Sequence, residues 1–84
     1  MPELENRFQQ AADEAMKLPT QDSETMLKLY AFYKQSTAGD VSGKRPGMLD
    51  IRARAKFDAW SGVKGLAREE AMQAYIDLVE SLKG

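Results

Sequence analysis

The sequence predicts an all-α fold of four helices, and three observations carry that reading. Apolar residues recur at spacings of three and four along most of the chain. No stretch alternates with the period of a strand, and glycine and proline fall between the periodic stretches. At 84 residues the chain is expected to be a single domain, 1–84, with a small core, so any binding site should be a surface groove.

Leu4, Phe8, Ala11, Ala12, Ala15 and Met16 lie on one stripe of a helix over roughly 4–16, which Pro19 stops. A second helix is expected over 21–36. Thr20, Asp22 and Ser23 offer capping oxygens, Asp22 and Glu24 complement the positive end of the helix dipole, and Lys34 lies near the negative end. Met26, Leu27, Leu29, Tyr30, Phe32 and Tyr33 wrap more than half of its circumference, so this helix should touch neighbours on two sides.

Residues 37–47 hold three glycines and a proline and form the longest connection. Gly39 is the expected helix stop, and Pro46-Gly47 suits a turn with Gly47 at positive φ. Asp50 is then placed to cap a third helix over about 51–62, with Ile51 and Ala55 on one face and Ala53, Phe57 and Trp60 on another. Gly62 or Gly65 ends it. The last helix shows the plainest stripe: Ala71, Ala74, Tyr75, Leu78, Val79 and Leu82. Ala67 supplies no capping oxygen at its start, which leaves Glu69 and Glu70 to serve the dipole alone.

The chain has no histidine and no cysteine. Imidazole bases, thiolate nucleophiles, disulfides and zinc-thiolate sites are therefore excluded. Met1-Pro2-Glu3-Leu4-Glu5 has neither the basic nor the apolar region of a secretory leader, and no apolar run approaches a membrane span, so a soluble cytoplasmic protein is expected. A monomer is expected too, because no heptad seam is sustained. Net charge is −1, but it is unevenly spread: residues 1–27 carry −4, residues 28–56 carry +5 and residues 57–84 carry −2. A positive island in a near-neutral chain suits a compact anionic ligand better than a long duplex.

Tyr30, Tyr33 and Lys34 share a face of the second helix at i, i+3 and i+4, and Arg52 and Lys56 make a basic i, i+4 row on the third. A nucleotide needs an apolar ring for its base to stack on and cations with hydroxyl donors for its phosphate; tyrosine supplies ring and hydroxyl together. On spacing alone, half-buried core tyrosines beside a solvated lysine are the commoner outcome of such a pattern.

Five strings bear on that choice: Tyr30-Ala31-Phe32-Tyr33-Lys34-Gln35, Thr37-Ala38-Gly39-Asp40, Arg45-Pro46-Gly47-Met48-Leu49-Asp50, Ala55-Lys56-Phe57-Asp58-Ala59-Trp60 and Ala71-Met72-Gln73-Ala74-Tyr75-Ile76. Together, in order and with their turn lengths, they resemble the acyl-CoA-binding protein family over essentially the whole chain. The resemblance implies an up-down-down-up four-helix bundle that binds medium- to long-chain fatty acyl-CoA esters, without catalysis, for intracellular transport or buffering. It places Tyr30, Tyr33, Lys34, Lys56 and Tyr75 at the adenine and 3′-phosphate, with Arg52 near the head group. Phe8, Ala12, Met26 and Leu27 would line the acyl-chain groove. No cofactor or metal is implied, and neither nucleic acid nor stable membrane insertion is expected; transient contact with enzymes that make or use the ester is. Phe57 stands where many members have tryptophan, Met16 where a basic residue often contacts phosphate, with Lys17 beside it, and Ala67 where a polar cap is frequent.

Three other readings compete with this one. A helical nucleic-acid module would use the same cations and rings, but the acidic termini argue against it. Enzymatic use of Asp13-Glu14 or Glu69-Glu70 is disfavoured because adjacent carboxylates on a helix point about 100° apart. A protein-interaction module could present Met26, Met48 and Met72 to a partner helix, although methionines at such positions are more often core filler.

Overall fold

The computed structural model describes residues 2–83; Met1 and Gly84, which complete the expected 1–84 span, lie outside the described residues. Four helices follow in order: α1 (Pro2–Ala15), α2 (Ser23–Thr37), α3 (Ile51–Ser61) and α4 (Arg68–Leu82), with no strand among the described residues. Their directions follow from contacts between named ends. Glu5 pairs with Arg68 at 3.6 Å and Glu14 with Lys83 at 3.2 Å, so α1 and α4 run the same way. The Gln35 amide donates to the Leu66 carbonyl at 2.9 Å and Arg68 donates to the Ser36 carbonyl at 3.1 Å. The end of α2 thus meets the start of α4, and the two are antiparallel. Trp60 donates its indole N–H to the Gly39 carbonyl at 2.8 Å, which brings the ends of α2 and α3 together. The bundle is up-down-down-up.

The core is built by three of the four helices. Phe8 and Ala11 from α1, Leu29 from α2, and Met72, Tyr75, Ile76 and Val79 from α4 form one buried cluster. Of the stripe that its sequence predicts, α4 buries Ala71, Tyr75 and Val79 fully and Ala74, Leu78 and Leu82 in part, and Met72 and Ile76, off that stripe, complete its buried face. α2 packs against both α3 and α4, as its wide apolar surface requires, whereas α1 lies along α4 and α3 along α2. This arrangement positions the site: α1 and α2 flank α4 and touch through the Phe8 and Tyr33 rings, and beyond that contact a trough is left between them.

Asp22 caps α2, its carboxylate accepting from the Thr25 N–H at 2.8 Å. Gly39 stops that helix at φ +83°. The expected positive φ at Gly47 is not found; Gly43 adopts it instead, at +89°. Asp50 occupies the position before α3, yet its side chain caps nothing, because its backbone (φ −96°, ψ 71°) lacks the extended conformation that aims a capping oxygen at the helix. The connection is fastened by Arg45 instead, which makes a two-pronged contact with Asp58 at 2.8 and 2.7 Å. At the start of α4, Glu70 does more than serve the dipole: its carboxylate accepts from the Ala67 N–H at 3.1 Å. That is the returning half of a capping box, present although alanine cannot supply the other half.

A polar clasp ties the long connection to the turn before α4. Asp40 Oδ1 accepts from the Gln35 amide at 2.7 Å and from the Gly65 N–H at 2.8 Å. These two donors hold the Asp40 carboxyl below its ordinary range, the Gly65 N–H contributing most. Gln35 is only 2% exposed, so its amide is fixed in place between two acceptors.

Candidate functional site

The trough between α1 and α2 is a hollow of about 580 Å³. Its first wall is Gln9, Ala12, Asp13 and Ala15 of α1, with Met16 just past the end of that helix. Its far wall is Met26, Leu29, Tyr30 and Tyr33 of α2, which follow the three-four spacing of one stripe. Leu18, Pro19, Thr20 and Gln21 close one end, and Tyr75 of α4 forms part of the floor. Nothing in the sequence marks this closing segment, where Pro19 reads only as a helix stop.

The floor is aromatic. Phe8 lies 5.7 Å from Tyr33 and 5.1 Å from Tyr75, centroid to centroid, and the two tyrosines are 6.0 Å apart. Interplanar angles of 26° for Phe8–Tyr33 and 60° for Phe8–Tyr75 are favourable offset and edge arrangements. Burial pushes the Tyr75 phenol above the usual tyrosine range, and Tyr33 adds to the shift. Tyr75 therefore stays protonated and keeps a hydrogen-bond donor to offer at neutral pH.

Two ammonium groups stand at the α2–α3 edge. Lys56 Nζ lies over the Tyr30 ring, 5.3 Å from its centroid, and Lys34 Nζ over Trp60 at 4.9 Å. Tyr30 thus belongs to both environments, since it also lines the hollow. Arg52 is exposed one turn before Lys56. Among the described residues none of Lys34, Arg52 and Lys56 enters an ion pair; the cations that do are Lys28, Arg45, Arg68 and Lys83. The basic island therefore presents uncompensated charge, the condition for attracting an anion.

The structure brings Tyr30, Tyr33 and Tyr75 together with Ala12 and Met26 in one hollow and sets Lys56 beside it over Tyr30, while the Lys34 ammonium lies over Trp60, which does not line the hollow. Two residues expected along the acyl groove lie elsewhere. Phe8 of α1 is buried against Tyr33 and Tyr75, supporting both rings. Leu27 faces away: successive helical residues are about 100° apart, and while Met26 turns into the trough, Leu27 lines a second hollow of about 360 Å³ with Ala31, Phe32, Ala59 and Val63. Met16, at the position where a cation was looked for, lines the hollow and is exposed, and Lys17 is exposed beside it. The methionines share no face, because Met72 is in the core, Met26 in the trough and Met48 out in solvent.

Chemically the arrangement offers apolar walls, one buried phenol donor, stacking rings and unpaired cations. Among the described residues, no group of three or more carboxylates is placed to hold a metal ion, and no helix is long and apolar enough to cross a membrane.

Comparison with known proteins agrees with this geometry. A family model described as "Acyl CoA binding protein" matches residues 5–79. The "Acyl-CoA-binding protein homolog" of Manduca sexta is 47% identical over 81 residues, covering 94% of this chain and 90% of that protein. The crystal structure of Oryza sativa Acyl-CoA-Binding Protein 2 superposes with a TM-score of 0.92 at 43% identity, over 95% of this chain and 90% of that one. That of ACBP from Moniliophthora perniciosa gives 0.87 at 32% identity, over 93% and 78%. With the family model spanning all four helices and relatives this similar along nearly their whole length, the chain belongs to the acyl-CoA-binding protein family.

Proposed function

We propose that this protein binds medium- to long-chain fatty acyl-CoA esters reversibly and without transforming them, as a cytoplasmic carrier or buffer. The observation that carries the reading is the double position of Tyr30, whose ring lines the apolar trough and also lies under the Lys56 ammonium. An apolar channel continuous with an unpaired cation suits a ligand that is greasy at one end and polyanionic at the other.

In this reading Ala12 and Met26 shelter the acyl chain and Tyr30, Tyr33 and Tyr75 surround the adenine end. Lys34, Lys56 and Arg52 face the 3′-phosphate and the head group. Each methylene removed from water contributes about 0.8 kcal/mol, so ten sheltered methylenes would gain about 8 kcal/mol before ordering costs. The phosphate supplies recognition, since a doubly charged group on ammonium and phenol donors makes several charge-assisted hydrogen bonds at once, and a free fatty acid has no nucleotide to place there. Lys34 and Lys56 must leave Trp60 and Tyr30 to do so, exchanging a cation–π contact of about 0.5–1 kcal/mol for a stronger ionic one.

Titration calorimetry with a long-chain acyl-CoA, CoA alone and the free fatty acid tests this. The ester should bind far more tightly than either half, and its affinity should rise with chain length. Equal affinity for CoA and its ester would remove the trough from the proposal. Native mass spectrometry of freshly purified protein would identify the ester and its length in one measurement.

A further inference from the structure

Three large apolar side chains within four consecutive positions stand in solvent: Met48 is 80% exposed, Leu49 99% and Ile51 75%. Isolated apolar residues on a surface are ordinary, but a contiguous group signals contact with something. These residues sit where the long connection enters α3, a helix that buries no side chain of its own. The turn that presents them is ordered by the Asp50 N–H donating to the Gly47 carbonyl at 3.0 Å. On its flank, Arg45 is fixed on Asp58, holding the connection against α3.

The charge around this tip has one sign. Between positions 44 and 56 the chain carries Lys44, Arg45, Arg52, Arg54 and Lys56 against the single carboxylate of Asp50. Of these, Lys44, Arg52 and Lys56 make no ion pair among the described residues. A Leu that projects almost free of its own protein is a convex feature, suited to entering a soft surface. Cations beside protruding apolar side chains match an anionic lipid headgroup layer over hydrocarbon, where each of the two signals reinforces the other.

We propose that the Met48–Ile51 tip docks this protein reversibly on anionic bilayers, with Leu49 entering the headgroup boundary and Lys44 among the cations that hold it there. The docking does not depend on what the trough holds. Its consequence does: Tyr30 lies beside Lys56 and Lys34 beside Trp60, so α3 and α2 run in the same sense and the tip falls toward the Met26 end of the trough. If the trough holds an acyl chain, docking sets the chain's exit near the bilayer.

Sedimentation with phosphatidylcholine vesicles, alone or with about one-third phosphatidylserine, tests the proposal without acyl-CoA present. The wild type should partition to the anionic vesicles at least about tenfold better than to the neutral ones, and high salt should reverse this. Leu49→Glu should reduce anionic-vesicle binding by about tenfold or more with an unchanged melting temperature, and Lys44→Glu by about threefold. Wild type that ignores anionic vesicles, or Leu49→Glu that binds them as wild type does, overturns the proposal and leaves a protein partner as the occupant of this surface. Vesicle binding by a protein that binds no acyl-CoA keeps this inference and removes the preceding one; acyl-CoA binding without vesicle binding does the reverse.

Discussion

Replacing Tyr75 by phenylalanine takes one oxygen from the floor of the trough and leaves the ring. The Tyr75 phenol is raised by burial and by Tyr33, with no hydrogen bond among the causes of its shift. Its ring packs 5.1 Å from Phe8 and 6.0 Å from Tyr33, and phenylalanine preserves both contacts. Folding should hardly notice the change, because no intramolecular hydrogen bond is lost: a difference under about 1 kcal/mol, or a melting shift under about 4–8 °C for a domain of this size. Ligand affinity should respond strongly. A hydrogen bond from a protonated phenol to a phosphate oxygen is worth about 1.5–3 kcal/mol, hence about 10- to 150-fold in Kd. Calorimetric titration with a long-chain acyl-CoA and thermal melting by circular dichroism separate the two effects. An affinity within about twofold of wild type would refute the hydroxyl contact. A melting temperature lowered by well over 8 °C would assign the hydroxyl to the fold instead.

Lys34→Ala and Lys56→Ala should each weaken acyl-CoA binding by about tenfold or more, with stability falling by no more than the cation–π contact, about 0.5–1 kcal/mol; unchanged affinity in both defeats the site assignment. Because Lys34 Nζ lies 4.9 Å from the ring of Trp60, the single tryptophan, ligand binding should shift the intrinsic emission, and Lys34→Ala should abolish that shift. Phe8→Ala should destabilise the fold by about 3–5 kcal/mol, since it opens a cavity under both floor tyrosines, and denaturant titration measures it. Asp40 titrates below its ordinary 3.8 in the folded protein. Its contribution is therefore complete above the unfolded-state pKa and is lost as pH falls through the folded value. Melting followed from about pH 5 to pH 2 should show a smaller acid loss in Asp40→Asn than in wild type; identical profiles would assign the acid limb to Asp22 and Asp58, which shift the same way.

Periodicity made the helices legible, because a buried stripe is a one-dimensional record of a packing face. The Ala71–Leu82 pattern places α4 in the core, and the broad apolar surface of α2 foretells neighbours on two sides. Details governed by backbone angle were not legible. Gly43 rather than Gly47 takes the positive φ, and Asp50 holds a cap position in a conformation that cannot cap. Leu27 shows the limit of a residue-type argument: it neighbours Met26 in sequence yet belongs to the opposite hollow, and only the rotation of α2 against α3 and α4 decides which one enters the trough. Nor does sequence reveal that Gln35 is buried as part of a clasp to Asp40 and Leu66. A glutamine on the packed side of α2 was the available sign, and it passes for a surface residue until its partners, up to 31 positions away, are brought beside it.

α3 is the helix with nothing in the core, leaning on α2 and steadied by Arg45 and Trp60. It also bears Arg52 and Lys56. Such an element opens at a lower free energy than the bundle proper, so its amides should exchange with solvent first. A cargo gripped from both sides would then act as the missing rivet, and saturation should slow exchange in Ile51–Ser61 more than anywhere in α4, whose amides are already shielded.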